Sequence, residues 1–164
     1  MSPAEAAYAA LVGEGATVAL AESLTGGAVC AAITSVPGAS AVVVGGVVAY
    51  ATPVKAQVLD VDRDLLARGG AVYSDVARQR AEGVRRLRGA TSGVATTGAA
   101  GPDPAPGGTE AADVPAGTAY VAVAGPSGAH VRRLLVGGDR ESVRAAVVAE
   151  ALALLESVVR GSRA

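Results

Sequence analysis

Aromatic side chains are nearly missing from this chain: its 164 residues include four tyrosines and no phenylalanine or tryptophan. Half of the residues are nonetheless hydrophobic, so the core of one domain must be built from Ala, Val and Leu in closely approaching elements. Stacking of bases on aromatic platforms, a common route to single-stranded nucleic acid, is largely unavailable. Duplex binding needs clustered Lys and Arg, and the formal net charge is −1. The one basic run, Arg85-Arg86-Leu87-Arg88, falls near the end of an expected helix, where cations complement the dipole. No nucleic-acid partner is expected.

A single cysteine excludes an intramolecular disulfide framework and fits a reducing compartment. With one Cys and one His far apart in sequence, and no clustered carboxylates, no zinc or di-metal spacing exists. Cys30 reads as a small buried thiol and His130 as a structural or incidental strand residue. The glycine-rich stretches match neither the P-loop nor the Rossmann pattern, which speaks against an ATPase or a dinucleotide oxidoreductase. No metal and no cofactor are expected. No signal-peptide pattern precedes the first helix. The longest apolar run, 41–51, is broken by Gly45-Gly46 and is too short to span a bilayer. The expectation is a cytoplasmic protein with no membrane partner.

What is present is a hydroxyl-rich turn. The segment from Thr17 to Gly27 is an apolar, strand-like run that stops at Glu22, followed by Ser23, Leu24, Thr25, Gly26 and Gly27 opening a helix. A strand-to-helix turn holds side chains at a fixed point, and the helix start offers unpaired N–H groups to an oxyanion or phosphate. Ser23 sits where a nucleophile can be exposed. Lacking a suitable histidine, such a serine needs another proton acceptor, and a buried neutral lysine can serve. Lys55 is the only lysine; every other cation is arginine, which does not deprotonate usefully. Taken alone, a lysine opening a short helix is more often solvated surface.

The rest of the chain predicts one α/β domain over 1–164, a mixed sheet between helices. Ser2-Pro3-Ala4-Glu5 has the form of a capping box ahead of an Ala-rich helix ending near Gly13-Glu14-Gly15. Val42–Tyr50 reads as a strand buried on both faces. Short helices follow from Pro53 and over Asp64–Arg68, and Ser74-Asp75 is expected to cap a longer one through Leu87. A strand over Ser92–Thr97 leads into Gly98-Ala99-Ala100-Gly101-Pro102. Its hydroxyls would reach the same sheet edge as Ser23 if the two strands are neighbours. Residues 103–116 have the Pro/Gly-rich, acidic composition of a mobile loop. Thr118–Ala124 and Ala129–Val136 suggest an antiparallel hairpin, and Asp139 caps a final helix.

At these residues the chain resembles a known family. Ala-Glu-Ser-x-Thr-Gly-Gly at 21–27, Tyr50 with Lys55 five residues on, Thr-Gly-x-Ala-Gly-Pro at 97–102, Pro-x-Gly-Thr at 115–118 and Gly-Asp-Arg-x-x-Val-Arg at 138–144 occur in that order. They look like the CinA C-terminal domain family of competence/damage-inducible proteins, whose enzymes are nicotinamide-nucleotide amidases, and the resemblance covers nearly the whole chain. It implies a three-layer α/β/α fold, usually a homo-oligomer, holding the C-terminal type of domain without the N-terminal molybdopterin-binding-like one. It implies hydrolysis of nicotinamide mononucleotide to nicotinic acid mononucleotide and ammonia, in NAD recycling, without metal. Ser23 then corresponds to the nucleophile, Lys55 to the base and Thr97 to the third hydroxyl.

Candidate substrate contacts are the N–H groups of Thr25, Gly26 and Gly27, together with Gly98, Tyr50 and Arg140. Arg140 reads equally as a solvated first-turn residue, and Tyr50 as a plain strand-end tyrosine. Four features depart from the family pattern. Leu24 stands where Cys is common, and Ala51-Thr52 where Ser-Asn follows the tyrosine. Tyr73 replaces a small hydroxyl, and the loop after Pro102 is longer. The alternative to an enzyme is a catalytically silent nucleotide-binding or protein-interaction module.

Overall fold

The apolar run after Thr17 becomes β1 (Val18–Glu22), fully buried at all five positions and flanked on both sides by parallel strands. The computed structural model describes residues 1–161. Along the chain, α1 (Pro3–Glu14) precedes β1, and α2 (Ala28–Thr34) leads through a short 3-10 turn to β2 (Val43–Val48). Three helices follow: α3 (Thr52–Leu59), α4 (Arg63–Gly69) and α5 (Ser74–Arg88). Then come β3 (Ser92–Gly98), β4 (Thr118–Gly125), β5 (Gly128–Leu135) and α6 (Arg140–Gly161). The five-stranded sheet has the order β2-β1-β3-β4-β5, with β4 and β5 antiparallel to their neighbours. This is the expected α/β domain with a mixed sheet.

Alternation along each strand divides the core into two layers. Val18, Leu20, Val94, Val121 and Val123 face α1, α2 and α6, with Leu11, Ile33, Val147 and Leu155. Ala19, Ala21, Ala95, Ala122 and Ala124 face the other side, against Val76, Ala77, Ala81 and Val84 of α5 and Leu59 of α3. The α5 layer is alanine-rich because the backbones there approach closely. A Cβ at Gly93 would run into the Ala81 carbonyl oxygen, and one at Gly83 into that of Leu59.

The capping box at Ser2 and Glu5 forms in full, and Gly15 ends α1 in the left-handed region. Asp139 Oδ1 accepts the Ser142 N–H at 2.9 Å, closing the start of α6. Two details differ from the sequence expectation. The β2 strand is not buried on both faces: it is the edge strand, with Val44 and Val48 about half exposed, because β1 takes the centre of the sheet. The cap of α5 is Tyr73, with extended backbone and no side-chain hydrogen bond, so Ser74 is already the first helical residue.

The 103–116 segment is hydrogen-bonded across its base and, at its middle, to α4. Ala105 and Val114 exchange backbone hydrogen bonds of 2.9 and 2.8 Å, and the N–H groups of Thr109 and Glu110 reach the Ala67 and Arg68 carbonyls of α4.

Candidate active site

Because β1, β2 and β3 run parallel, their carboxyl ends meet at one sheet edge, and the chain delivers Ser23, Tyr50 and Thr97 there. This is the edge at which open α/β sheets bind ligands. A cavity of about 380 Å³ opens at this edge, in the size range of small-molecule sites. Ser23, Lys55, Thr97, Tyr50, Gly98 and Arg140 line it, together with Leu24 and Thr52.

The turn that presents Ser23 is held from below and behind. Glu22 is buried, and its carboxylate accepts the N–H groups of Gly27 (3.0 Å), Val29 (3.0 Å) and Cys30 (2.8 Å). It therefore closes the amino end of α2, as an acidic group at a helix start does. The Ser23 N–H points at Thr96 Oγ1 (3.4 Å), which also shares a hydrogen bond of 2.8 Å with Thr25 Oγ1. From α6, Arg144 donates to the Leu24 carbonyl (2.9 Å) and the Thr25 carbonyl (3.1 Å).

This packing corrects part of the sequence reading. Thr25, Gly26 and Gly27 do not line the cavity. The Gly26 N–H is taken by the Ser23 carbonyl and the Gly27 N–H by Glu22, so neither is open to an oxyanion or phosphate. Both glycines have positive φ, 61° and 102°, and serve the turn itself. Leu24, by contrast, lines the cavity beside Ser23.

Lys55, carried on α3, is only 1% exposed. Its Nζ donates to the carbonyls of Ala49 (2.8 Å) and Tyr50 (2.9 Å) at the end of β2. Burial, reinforced by the Arg80 cation, lowers its pKa to about 8. An amine with two N–H groups on carbonyls can satisfy both in its neutral form, leaving the lone pair for a third direction. Thr97 Oγ1 donates to the Ala71 carbonyl at 2.7 Å.

Across the mouth, Arg140 donates to the Gly101 carbonyl (2.8 Å) and to the Tyr50 hydroxyl (2.8 Å), bridging the start of α6, the loop after β3 and the end of β2. Asp103, Ala105 and Pro106 of the long loop complete the wall. Tyr73, one of the departures from the family pattern, lies against Gly69 of α4 and not in the cavity.

Sequence reasoning passed over two arginines. Arg80 sits at a core-facing position of α5 beside Val76, Ala77 and Val84, and a charged residue inside that face is its only signal in the sequence. Arg144 was the last residue of a recognised motif, with nothing local to show what it grips. Among the described residues, no cluster of His, Cys, Asp and Glu could hold a metal ion. No helix there is long and apolar enough to cross a membrane.

Comparison with known proteins agrees with the motifs. The family model for the CinA C-terminal domain matches residues 2–159. A CinA-like protein of Frankia casuarinae is 48% identical over 151 residues, covering 92% of this chain and 34% of its own length. One from Anaeromyxobacter sp. (strain K) is 50% identical over 156 residues, covering 95% of this chain and 37% of its own. The chain thus spans about a third of the length of the curated relatives it matches. Among solved structures, a competence-damaged protein (CinA) superfamily protein from Klebsiella pneumoniae superposes with a TM-score of 0.88 at 30% identity, covering 98% of this chain and 99% of that one. Another from Escherichia coli gives 0.87 at 29%, covering 94% and 88%. With its motifs, fold and relatives in agreement, this chain belongs to the CinA C-terminal domain family.

Proposed function

We propose that the protein is a metal-independent amidase that hydrolyses nicotinamide mononucleotide to nicotinic acid mononucleotide and ammonia. One observation carries this reading: the chain's only lysine is buried in the wall of the cavity that Ser23 lines, with a pKa lowered to about 8. A lysine placed for solubility would be exposed and fully charged; this one is set up to accept a proton near neutrality.

In the proposed reaction, neutral Lys55 takes the Ser23 hydroxyl proton as Oγ attacks the carboxamide carbon. The carbonyl π pair moves onto oxygen, and in this reading the N–H of Leu24, the cavity residue immediately after the nucleophile, stabilises that charge. Collapse breaks the C–N bond; the Lys55 ammonium, relayed through Thr97, gives its proton to departing ammonia. Water then adds to the acyl-Ser23 ester, losing a proton to Lys55, and Ser23 leaves with that proton restored. Arg140 at the mouth supplies a planar donor set for the nucleotide phosphate. Tyr50 fixes Lys55 through its carbonyl and Arg140 through its hydroxyl.

A second reading, a silent nucleotide-binding module, is favoured by two features. Lys55 Nζ is hydrogen-bonded to two carbonyls rather than to Ser23, and the Ser-Asn pair of the family pattern is Ala51-Thr52. The test is ammonia release from nicotinamide mononucleotide without added metal, in wild type, Ser23→Ala and Lys55→Met. The amidase reading expects turnover in wild type and its loss in both variants with circular dichroism unchanged. Calorimetric binding without wild-type turnover would select the silent module.

A further inference from the structure

Beneath the cavity lies a charge that the proposed reaction does not use. Arg80 is fully buried. Its Nη1 donates to the Thr96 carbonyl and its Nη2 to the Ala21 carbonyl at 3.1 Å, so one guanidinium ties the carboxyl ends of β3 and β1, the strands that deliver Thr97 and Ser23. Its Nε finds no acceptor among the described residues. An apolar side chain would fill this position without leaving a buried donor orphaned.

Arg80 also sits close to Lys55. Arg80 holds the carbonyls of Ala21 and Thr96, just ahead of Ser23 and Thr97, and those two residues line the cavity together with Lys55; the Arg80 cation acts on the Lys55 amine across that short span. The charged groups around it can be named element by element. β1 contributes Glu22, α3 contributes Lys55, and β3 contributes only the hydroxyls of Thr96 and Thr97. The β4 strand places Tyr120 on this layer, and Arg133 of β5, paired with Tyr120, is exposed. Edge strand β2 carries no titratable residue. Glu22, its three hydrogen bonds given to α2, offsets the charge of Arg80. With these two balanced, a protonated Lys55 leaves one uncompensated buried positive charge, and the neutral amine leaves none.

We propose that Arg80 is a positioning residue that pins the Ser23 and Thr97 strand ends and, as a second buried cation, favours the neutral, proton-accepting form of Lys55 over the charged one. This rests on the amidase reading for its purpose, but its physical content can be tested without turnover. Because Lys55 is the sole lysine, protein labelled with ¹³Cε-lysine gives a single side-chain resonance, whose shift against pH reports the amine directly. The comparison is wild type, which has the charge, against Arg80→Gln and Arg80→Met, which remove it.

The expected midpoint is about 8 in wild type. It rises by about one unit in the Gln and Met variants. The acid limb of kcat/KM for ammonia release from nicotinamide mononucleotide moves up by the same amount. If Arg80→Met does not fold, the comparison of Arg80→Gln with wild type carries the test, since Gln retains a donor for the Thr96 carbonyl. Equal midpoints in wild type and the charge-removing variants overturn the proposal, whatever the turnover. A moved midpoint in a protein that releases no ammonia keeps the Arg80 assignment and removes the amidase reading instead.

Discussion

Arg144 and Leu24 lie 120 positions apart, yet the Arg144 Nε donates to the Leu24 carbonyl at 2.9 Å while its Nη2 reaches the Thr25 carbonyl at 3.1 Å. The last helix thereby grips the turn that presents Ser23. Only a planar, forked donor can hold two adjacent carbonyls in this way, so lysine is not an equivalent substitute.

Arg144→Leu is accordingly expected to lower kcat for ammonia release by about 10²-fold, the scale of a nucleophile misplaced by roughly 1 Å. The Arg144→Lys variant should recover little of it. Steady-state kinetics, with thermal unfolding as a control, check this. A loss confined to KM would mean that Arg144 serves binding rather than the geometry of the turn.

Gly83 sets two effects against each other. Alanine gains about 1 kcal/mol of helix propensity over glycine, but a Cβ here would collide with the Leu59 carbonyl oxygen. Backbone cannot yield as a side chain tip can, and overpacking of this kind costs about 1–3 kcal/mol. Gly83→Ala should therefore lower the urea midpoint, despite its better helix former, and weaken activity by shifting the helix that carries Lys55. An unchanged or raised midpoint would show that α3 and α5 part easily.

How much of this was legible in the sequence depended on how far apart the interacting residues are. The capping box at Ser2, the antiparallel hairpin of β4 and β5 and the Asp139 cap are local and formed as read. Placing Ser23 and Thr97 at one edge needed only that β1 and β3 be neighbours, which they are. The Val-rich β2 was misread because apolar content does not distinguish a central strand from an edge strand whose outer valines stay half exposed. Gly26 and Gly27 looked like an anion nest, but nothing in their spacing reveals that Glu22, on the preceding strand, takes the Gly27 N–H. The acceptors of Arg80 and Arg144 are backbone carbonyls distant in sequence, which no side-chain pattern encodes.

The lowered pKa of Lys55 fixes a sign for stability against pH. Below pH 8 both the folded and unfolded chains hold the proton, and the fold bears the full penalty of a buried ammonium. Between about 8 and the ordinary lysine value near ~10.4, the unfolded chain binds more protons, so this group's contribution becomes more favourable as pH rises. Lys55→Met should thus stabilise the fold at pH 7 and by a smaller margin at pH 9.5. Urea unfolding of both proteins at the two pH values measures the difference; an equal margin at both would place the Lys55 pKa outside that window.

The central claim is that Ser23 becomes acylated by a carboxamide substrate. Acid quench of the protein turning over saturating nicotinamide mononucleotide, followed by mass spectrometry of the peptide containing Ser23, addresses it directly. The account predicts a Ser23 ester heavier by one substrate less one ammonia, formed in wild type and absent from Ser23→Ala, which releases no ammonia. Continued ammonia release by Ser23→Ala, with the wild-type peptide unmodified throughout turnover, would contradict it.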